Sequence, residues 1–232
     1  MTSRFAFLAA FLAVTAADVR AQTSRDALDV DPRHHQVLFE NDYVRVFRAL
    51  AGGGARSPMH THPHRVLVSL GTTRLRMTLP NGTNPVWDFM PGQVAWMPAD
   101  EHAWELVAGA VHVIGVEIKR PAPASFAPLP ATDAVTADPE HHQVVLDNDH
   151  VRVMSGLASE GARSPMHSHS MNMVIVSLGR VRLRLAAQDA PAPVIIDLTP
   201  GQVMWFDPGA HSWEILAGQH NAFAVEVKAS RR

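Results

Sequence analysis

The chain contains no cysteine, so disulfides take no part in holding it together. An excess of charge of one sign is also missing: 20 Lys and Arg against 22 Asp and Glu leave a formal net charge of −2. No cluster of Lys and Arg offers the phosphate-tracking surface that nucleic-acid binding needs, and no basic run suits a membrane surface. The apolar run from Phe5 to Ala17 has 13 residues, too short to span a bilayer comfortably. Two catalytic signatures are missing as well. There is no glycine-rich phosphate loop, and the serines near histidines lie in turns rather than in a Ser-His-Asp arrangement.

What is present begins with Arg4, the apolar run, and Val19-Arg20-Ala21 after it. These read as a secretory signal peptide over residues 1–21, cleaved after Ala21, with an uncleaved amphipathic helix or anchor as the rival reading. The expected destination is periplasmic or secreted, with no membrane attachment after cleavage. No cysteine follows the run, so a lipid anchor is not expected. Export to an oxidising compartment is compatible with a cysteine-free chain.

The remainder is duplicated. Asp31 to His60 reads DPRHHQVLFENDYVRVFRALAGGGARSPMH, and Asp138 to His167 reads DPEHHQVVLDNDHVRVMSGLASEGARSPMH, identical at 20 of 30 positions. PGQVAWMPADEHAWELVAG from Pro91 then matches PGQVMWFDPGAHSWEILAG from Pro200. The offset grows from 107 to 109 between these blocks, so short insertions separate them. Two domains follow, residues 30–120 and 138–229, joined by a Pro- and Ala-rich linker over 121–137.

Within each half the pattern is one of short strands. Tyr43 to Leu50 alternates, with Val44 and Val46 on one face and Arg45 and Phe47 on the other. Arg74 to Leu79 and Val181 to Leu185 alternate in the same way. Asn81-Gly82, Pro91-Gly92 and Pro200-Gly201 mark turns. No segment after the leader has a sustained helical period, so each half reads as a β-sandwich or barrel. So small a domain has a modest core, which predicts that the halves pack on each other.

Histidine is the unusual residue, with 14 copies. His60 and His62 form a His-x-His pair matched by His167 and His169, and strand alternation turns both rings of a pair to one face. A third histidine, His102 or His211, follows a Pro-containing turn in each half. Three imidazoles converging from two strands suit a divalent metal with open positions left for water or substrate.

This constellation resembles the cupin superfamily. The first cupin motif places a glycine five residues ahead of His-x-His, as Gly54 and Gly161 stand here. The second is similar to Gly92, Pro98 and His102, and to Gly201, Pro208 and His211, with the turn one or two residues short. The resemblance covers both halves and implies an all-β chain of two tandem cupin-type jelly-roll barrels, a bicupin. It implies one divalent metal per barrel, with iron, manganese, nickel and zinc as candidates. The sequence departs from the pattern at the glutamate ligand. That position falls on His64 in the first half and Asn172 in the second. His64 is therefore either a fourth ligand or a rim residue.

Other repeated residues carry less. The pairs His34-His35 and His141-His142 read as structural, because adjacent strand residues point to opposite faces. His112, His150 and His220 have no histidine counterpart and are expected at the surface. Glu105 and Glu214 fall three residues after the third histidine, on the opposite face. Trp104 and Trp213 share the histidines' face, as walls of a substrate pocket or as core. Met59 and Met166 are expected in the core.

Two functions remain open. One is a mononuclear metal oxidoreductase, dioxygenase-like, acting on a small organic molecule; three-histidine cupin dioxygenases are the nearer analogy, and the missing glutamate tells against the decarboxylase type. The other is a non-catalytic barrel that binds metal or a small ligand. The expected partner is a small molecule, and cupins commonly form a homodimer through their sheets.

Overall fold

The computed structural model describes residues 25–120 and 128–229. The signal peptide assigned to residues 1–21 lies outside the described residues, as does part of the linker. In the first half a helical turn, α1 (Ala27–Val30), precedes nine strands: β1 (His35–Glu40), β2 (Val44–Ala51), β3 (Arg56–His62), β4 (Arg65–Ser69), β5 (Thr73–Thr78), β6 (Val86–Phe89), β7 (Val94–Met97), β8 (Asp100–Gly109) and β9 (Val111–Ile118). The second half repeats the order with α2 (Ala134–Ala137), β10 (Gln143–Asp147), β11 (Val151–Ser159), β12 (Arg163–His169), β13 (Asn172–Ser177), β14 (Val181–Ala187), β15 (Val194–Leu198), β16 (Val203–Phe206) and β17 (Gly209–Val227). The unbroken β17 takes the places of both β8 and β9.

The strands pair antiparallel. In the first half a sheet ordered β1-β2-β9-β4-β7 accompanies a second ordered β3-β8-β5-β6. The second half has the order β10-β11-β17-β13-β16, and β17 also pairs with β12 and β14. The protein is all-β, two jelly-roll barrels in tandem. Alternation sets which side chains enter each barrel: in β5, Thr73, Leu75 and Met77 are buried while Arg74, Arg76 and Thr78 are exposed. Leu75 and Met77 meet Phe47, Trp104 and Leu106 inside the first barrel, and Leu183, Trp213 and Ile215 form the counterpart in the second.

The five-stranded sheets are buried on their other face too. Val44, Val46, Val66 and Val116 form one cluster with Val151, Val153, Val174 and Val225 of the second half. Branched side chains on pleated surfaces pack closely, and both faces of these central strands leave water. Rings flank the valines in matched fashion. Tyr43 stacks on Trp205 with centroids 5.8 Å apart, and its repeat counterpart His150 stacks on Trp96 at 5.1 Å. The halves therefore pack on each other, as the small domain size predicted.

The helical turns belong to the barrels. Asp26 caps α1 by accepting from the Leu28 N–H at 3.0 Å, and Asp133 caps α2 by accepting from Val135 at 3.2 Å. Single bridges tie Asp26 to Thr61 and Asp133 to Ser168. Thus α1 starts ahead of residue 30, and α2 falls within the stretch read as linker.

Gly109 and Gly218 have φ values of 77° and 79°. A Cβ there would stand 2.0 Å from the Thr72 carbonyl oxygen and 2.3 Å from that of Arg180. Alanine at either site is expected to lower stability by more than about 2 kcal/mol, from left-handed strain together with the clash. Urea denaturation should show this as a lower midpoint with an unchanged slope.

Candidate metal centre

The third strand supplies the first two ligand candidates. His60 and His62 alternate into the barrel, and both are buried. Pairing of β3 with β8 sets His60 opposite His102 and His62 opposite Asp100. In the second barrel His167 stands opposite His211, and His169 opposite Gly209. The rings of His60 and His102 lie 4.7 Å apart between centroids, and those of His167 and His211 lie 4.6 Å apart.

The groups whose ligand nitrogens all lie within 4.8 Å of one another take in another imidazole and leave out His102 and His211, which touch them through ring contacts. His35 offers a nitrogen within 4.8 Å of those of His60 and His62, and His142 does the same with His167 and His169. The adjacent-residue argument had assigned the paired histidines a structural role. It fails because His34 lies in a turn and only His35 begins a strand. The Asp31 carbonyl accepts from the backbone N–H groups of both His34 and His35, which turns the rings in different directions. His34 donates from Nδ1 to the Asp31 carboxylate at 2.9 Å and lies against Trp104, while His35 enters the cluster.

The hydrogen bonds of these rings decide which nitrogen faces the centre. Nδ1 of His35 reaches the Asp31 carbonyl at 3.2 Å, and Nδ1 of His60 reaches the Pro58 carbonyl at 2.7 Å. A carbonyl only accepts, so each Nδ1 carries the proton and each Nε2 a lone pair. Nδ1 of His62 donates to Glu117 at 2.8 Å, and Nδ1 of His102 to Asp100 at 3.1 Å. The second barrel repeats this through the Asp138 carbonyl, the Pro165 carbonyl and Glu226. Gly209 replaces Asp100 there. Among the described residues, the Nε2 atoms of His60 and His167 are buried without any hydrogen-bond partner. Orphaned buried nitrogens are rare in folded proteins. A cation bound by the lone pairs would satisfy them, so these residues fit a divalent metal.

Behind His62 and His169 stands a line of charge that single-residue reasoning missed. Glu117 and Glu226 are 0% exposed. Arg45 Nε donates to Glu117 at 2.5 Å and its Nη2 to Asp26 at 2.7 Å. Arg152 bridges Glu226 at 2.5 Å and Asp133 at 2.8 Å. Burial pushes the Glu117 carboxyl up against the opposing pull of Arg45. Both arginines, despite their burial, are held above their ordinary range by these acids. The signal was present in the sequence as the repeated VEIK and VEVK and the repeated Val-Arg-Val.

The remaining candidates fall elsewhere. His64 is not in the cluster. Its ring packs against both Trp96 and His150, at 5.6 and 4.6 Å, and accepts from the Ala99 N–H, where the two barrels meet. The extended backbone after His62 reverses its direction within two residues, so His64 leaves the barrel interior. Trp104 and Trp213 are buried and serve both as cavity wall and as core. Glu105 and Glu214 lie on the outer face in ion pairs with Arg56, Arg76, Arg163 and Arg184. Met166 is exposed, because it faces away from His167 on an uncovered strand. His220 is no surface residue: it lines the cavity of the second barrel.

Each cluster opens onto a cavity, bounded in the first barrel by Phe47, Leu75 and Trp104 and in the second by Met154, Leu183 and Trp213. Only the first has a charged wall. Arg65, 2% exposed, pairs with Asp100 through contacts of 2.7 and 3.2 Å. Although burial opposes it, bonds from His102 and Arg65 hold the Asp100 carboxyl down to about 2.

No protein-family model matches the sequence, and no curated protein does. Solved structures do. AerE from Microcystis aeruginosa superposes with a TM-score of 0.57 at 12% identity, covering 83% of this chain and 91% of that one. A cupin 2 conserved barrel domain protein from Leptotrichia buccalis gives 0.50 at 10% identity, with 84% and 88% covered. The oxalate decarboxylase of Bacillus subtilis, described with its Mn(II) centres, gives 0.53 at 12% identity, with 83% and 71% covered. The chain has the fold of the cupins, and within them the two-barrel arrangement of the bicupins.

Burial holds His60 and His142 down at about 4 and His211 at about 3, all below the ordinary imidazole value near 6.5. An unfolded chain therefore binds more protons than the folded one between about pH 6.5 and 4. Stability is complete above that window and is lost as pH falls through it. With chelator present, the Tm should be flat above about pH 7 and fall steadily toward pH 4. A Tm unchanged across that range would show that the rings are not buried in neutral form.

Proposed function

We propose that each barrel holds one divalent metal ion on four imidazoles, and that the protein is an exported, metal-dependent oxidoreductase of the dioxygenase-like class. Its substrate is a small organic molecule, and iron, manganese, nickel and zinc are the candidate ions. The observation that carries the metal reading is the pair of orphaned Nε2 atoms in His60 and His167, each among rings whose Nδ1 is tied.

The chain's own residues set the chemistry in several ways. The Asp31 and Pro58 carbonyls and the Glu117 carboxylate lock three rings as Nδ1–H tautomers, leaving Nε2 to bind. Burial keeps His60 neutral, so its lone pair is available at ordinary pH. Glu117 is already balanced by Arg45, which leaves the double charge of a bound cation uncompensated and favours an anionic or ionisable substrate group. Trp104 and its apolar neighbours give the first cavity a largely apolar wall. A bound divalent ion supplies Lewis acidity, and a redox-active one supplies an electron couple as well.

The ion present divides the enzyme reading from simple binding. Four nitrogens close a tetrahedral zinc site, whereas a six-coordinate iron or manganese keeps open positions. Export rests on residues 1–21, and a homodimer paired through the sheets stays part of this proposal.

Metal analysis of protein from the exported fraction should find close to one ion per barrel, with His35→Ala, His60→Ala and His167→Ala each losing one barrel's ion. No metal, and no uptake of iron, manganese, nickel or zinc, would overturn the reading. Glu117→Gln and Glu226→Gln should keep the ring positions but weaken metal affinity by about 10- to 100-fold, read by competition with a chromophoric chelator.

A further inference from the structure

The two metal clusters are nearly identical, but the walls around them are not. Strand register pairs the differing positions. Arg65 and Met173 stand at matching places, opposite Glu117 and Glu226 respectively. Asp100 and Gly209 match through His62 and His169. The second barrel therefore has neither member of the buried ion pair. Phe47, which stacks on His62 at 5.4 Å, becomes Met154, and Trp87 opposite Leu75 becomes Ile196 opposite Leu183. These exchanges remove bulk and charge together.

Other exchanges add bulk: Ala95 and Met97 become Met204 and Phe206 of the second wall, and a valine becomes a histidine. Val111 pairs with Ala51, and its counterpart His220 pairs with Ala158. His220 lines the second cavity, and its Nδ1 is buried with no hydrogen-bond partner. Its neighbour has changed with it. A Cβ on Gly156 would stand 2.9 Å from His220 Nε2, whereas the first barrel has Ala49 there beside the smaller Val111. The glycine thus makes room for the ring. A mostly apolar cavity whose wall carries this ring beside the cluster imidazoles His142, His169 and His211 suits a ligand with an apolar body and one polar end.

We infer that the second barrel binds a neutral, mostly apolar molecule of the phenol class, its ring among Met154, Ile196 and Trp213 and its hydroxyl hydrogen-bonded to His220. A hydroxyl both donates and accepts, so it satisfies either tautomer of the imidazole. Burial lowers the His220 pKa to about 4, which keeps the ring uncharged. Methionine and tryptophan walls suit an aromatic face. With Met173 in place of Arg65, the second cavity has no arginine to pair with a second carboxylate beside the ion. The inference rests on reading this cavity as a ligand site, and it holds whether or not the ion is redox-active.

Calorimetric titration of the whole protein with p-cresol, toluene and malonate tests it, with metal content measured on the same samples. In the wild type p-cresol should bind more tightly than toluene. The double variant Gly156→Ala, His220→Val copies the first barrel and should weaken p-cresol binding by about five- to tenfold while leaving toluene unchanged. Ile196→Trp, which copies the first barrel's bulk, should block both. The inference is overturned if p-cresol does not bind, if the double variant binds it equally well, or if malonate displaces it. Retained p-cresol binding in metal-poor samples supports the inference and counts against the metal proposal alone.

Discussion

A buried carboxylate is the constraint around which each barrel is arranged. Glu117 and Glu226 lie out of water, where an unpaired charge costs several kcal/mol. Each is held between an arginine of the adjacent central strand and the second histidine of His-x-His. That arrangement joins elements far apart in sequence. It fixes β9 against β2, holds one imidazole in a single tautomer, and through Asp26 or Asp133 draws the helical turn onto the same barrel. Breaking the line at any point strands a charge, so the histidine cluster and the fold share one set of hydrogen bonds.

Much of this was legible in the chain and some was not, for reasons that can be assigned. The repeat, the strand alternation around Leu75 and Met77, and the facing of His60 with His62 all follow from period-two geometry, and the structure has them. His102 meets His60 across β8 because a turn after Pro98 starts that strand in register. His35 was hidden by the assumption that both members of His34-His35 lie on a strand; one lies in a turn. Glu117 was hidden because a lone acid in a valine-rich strand reads as a solvent-facing residue until its arginine partner, 72 positions away, is placed. His64 fell where the family glutamate was sought, but the short loop carries it out of the barrel and onto Trp96. His220 read as a surface residue because its counterpart, Val111, gave no hint of a polar role.

The comparison of the two halves also separates what a duplicated protein preserves from what it releases. Ligand candidates, their carbonyl acceptors and the arginine–glutamate pairs recur at equivalent places. The wall positions do not: Arg65 and Asp100 against Met173 and Gly209, Phe47 against Met154. Coordination geometry tolerates little change, since each ring is fixed by its own acceptor. A cavity wall can change one side chain at a time, provided volume is kept or a neighbour compensates, as Gly156 does beside His220.

The valine face between the barrels has a consequence for the chain as a whole. Val44, Val46, Val66 and Val116 are fully buried only because Val151, Val153, Val174 and Val225 cover them. A half-length chain released by truncation would present that face to water, along with Trp96 or Trp205 deprived of its stacking partner. Such a patch drives association. Each half thus serves as the other's cover, so the two pockets can differ while the shared interior holds both barrels together.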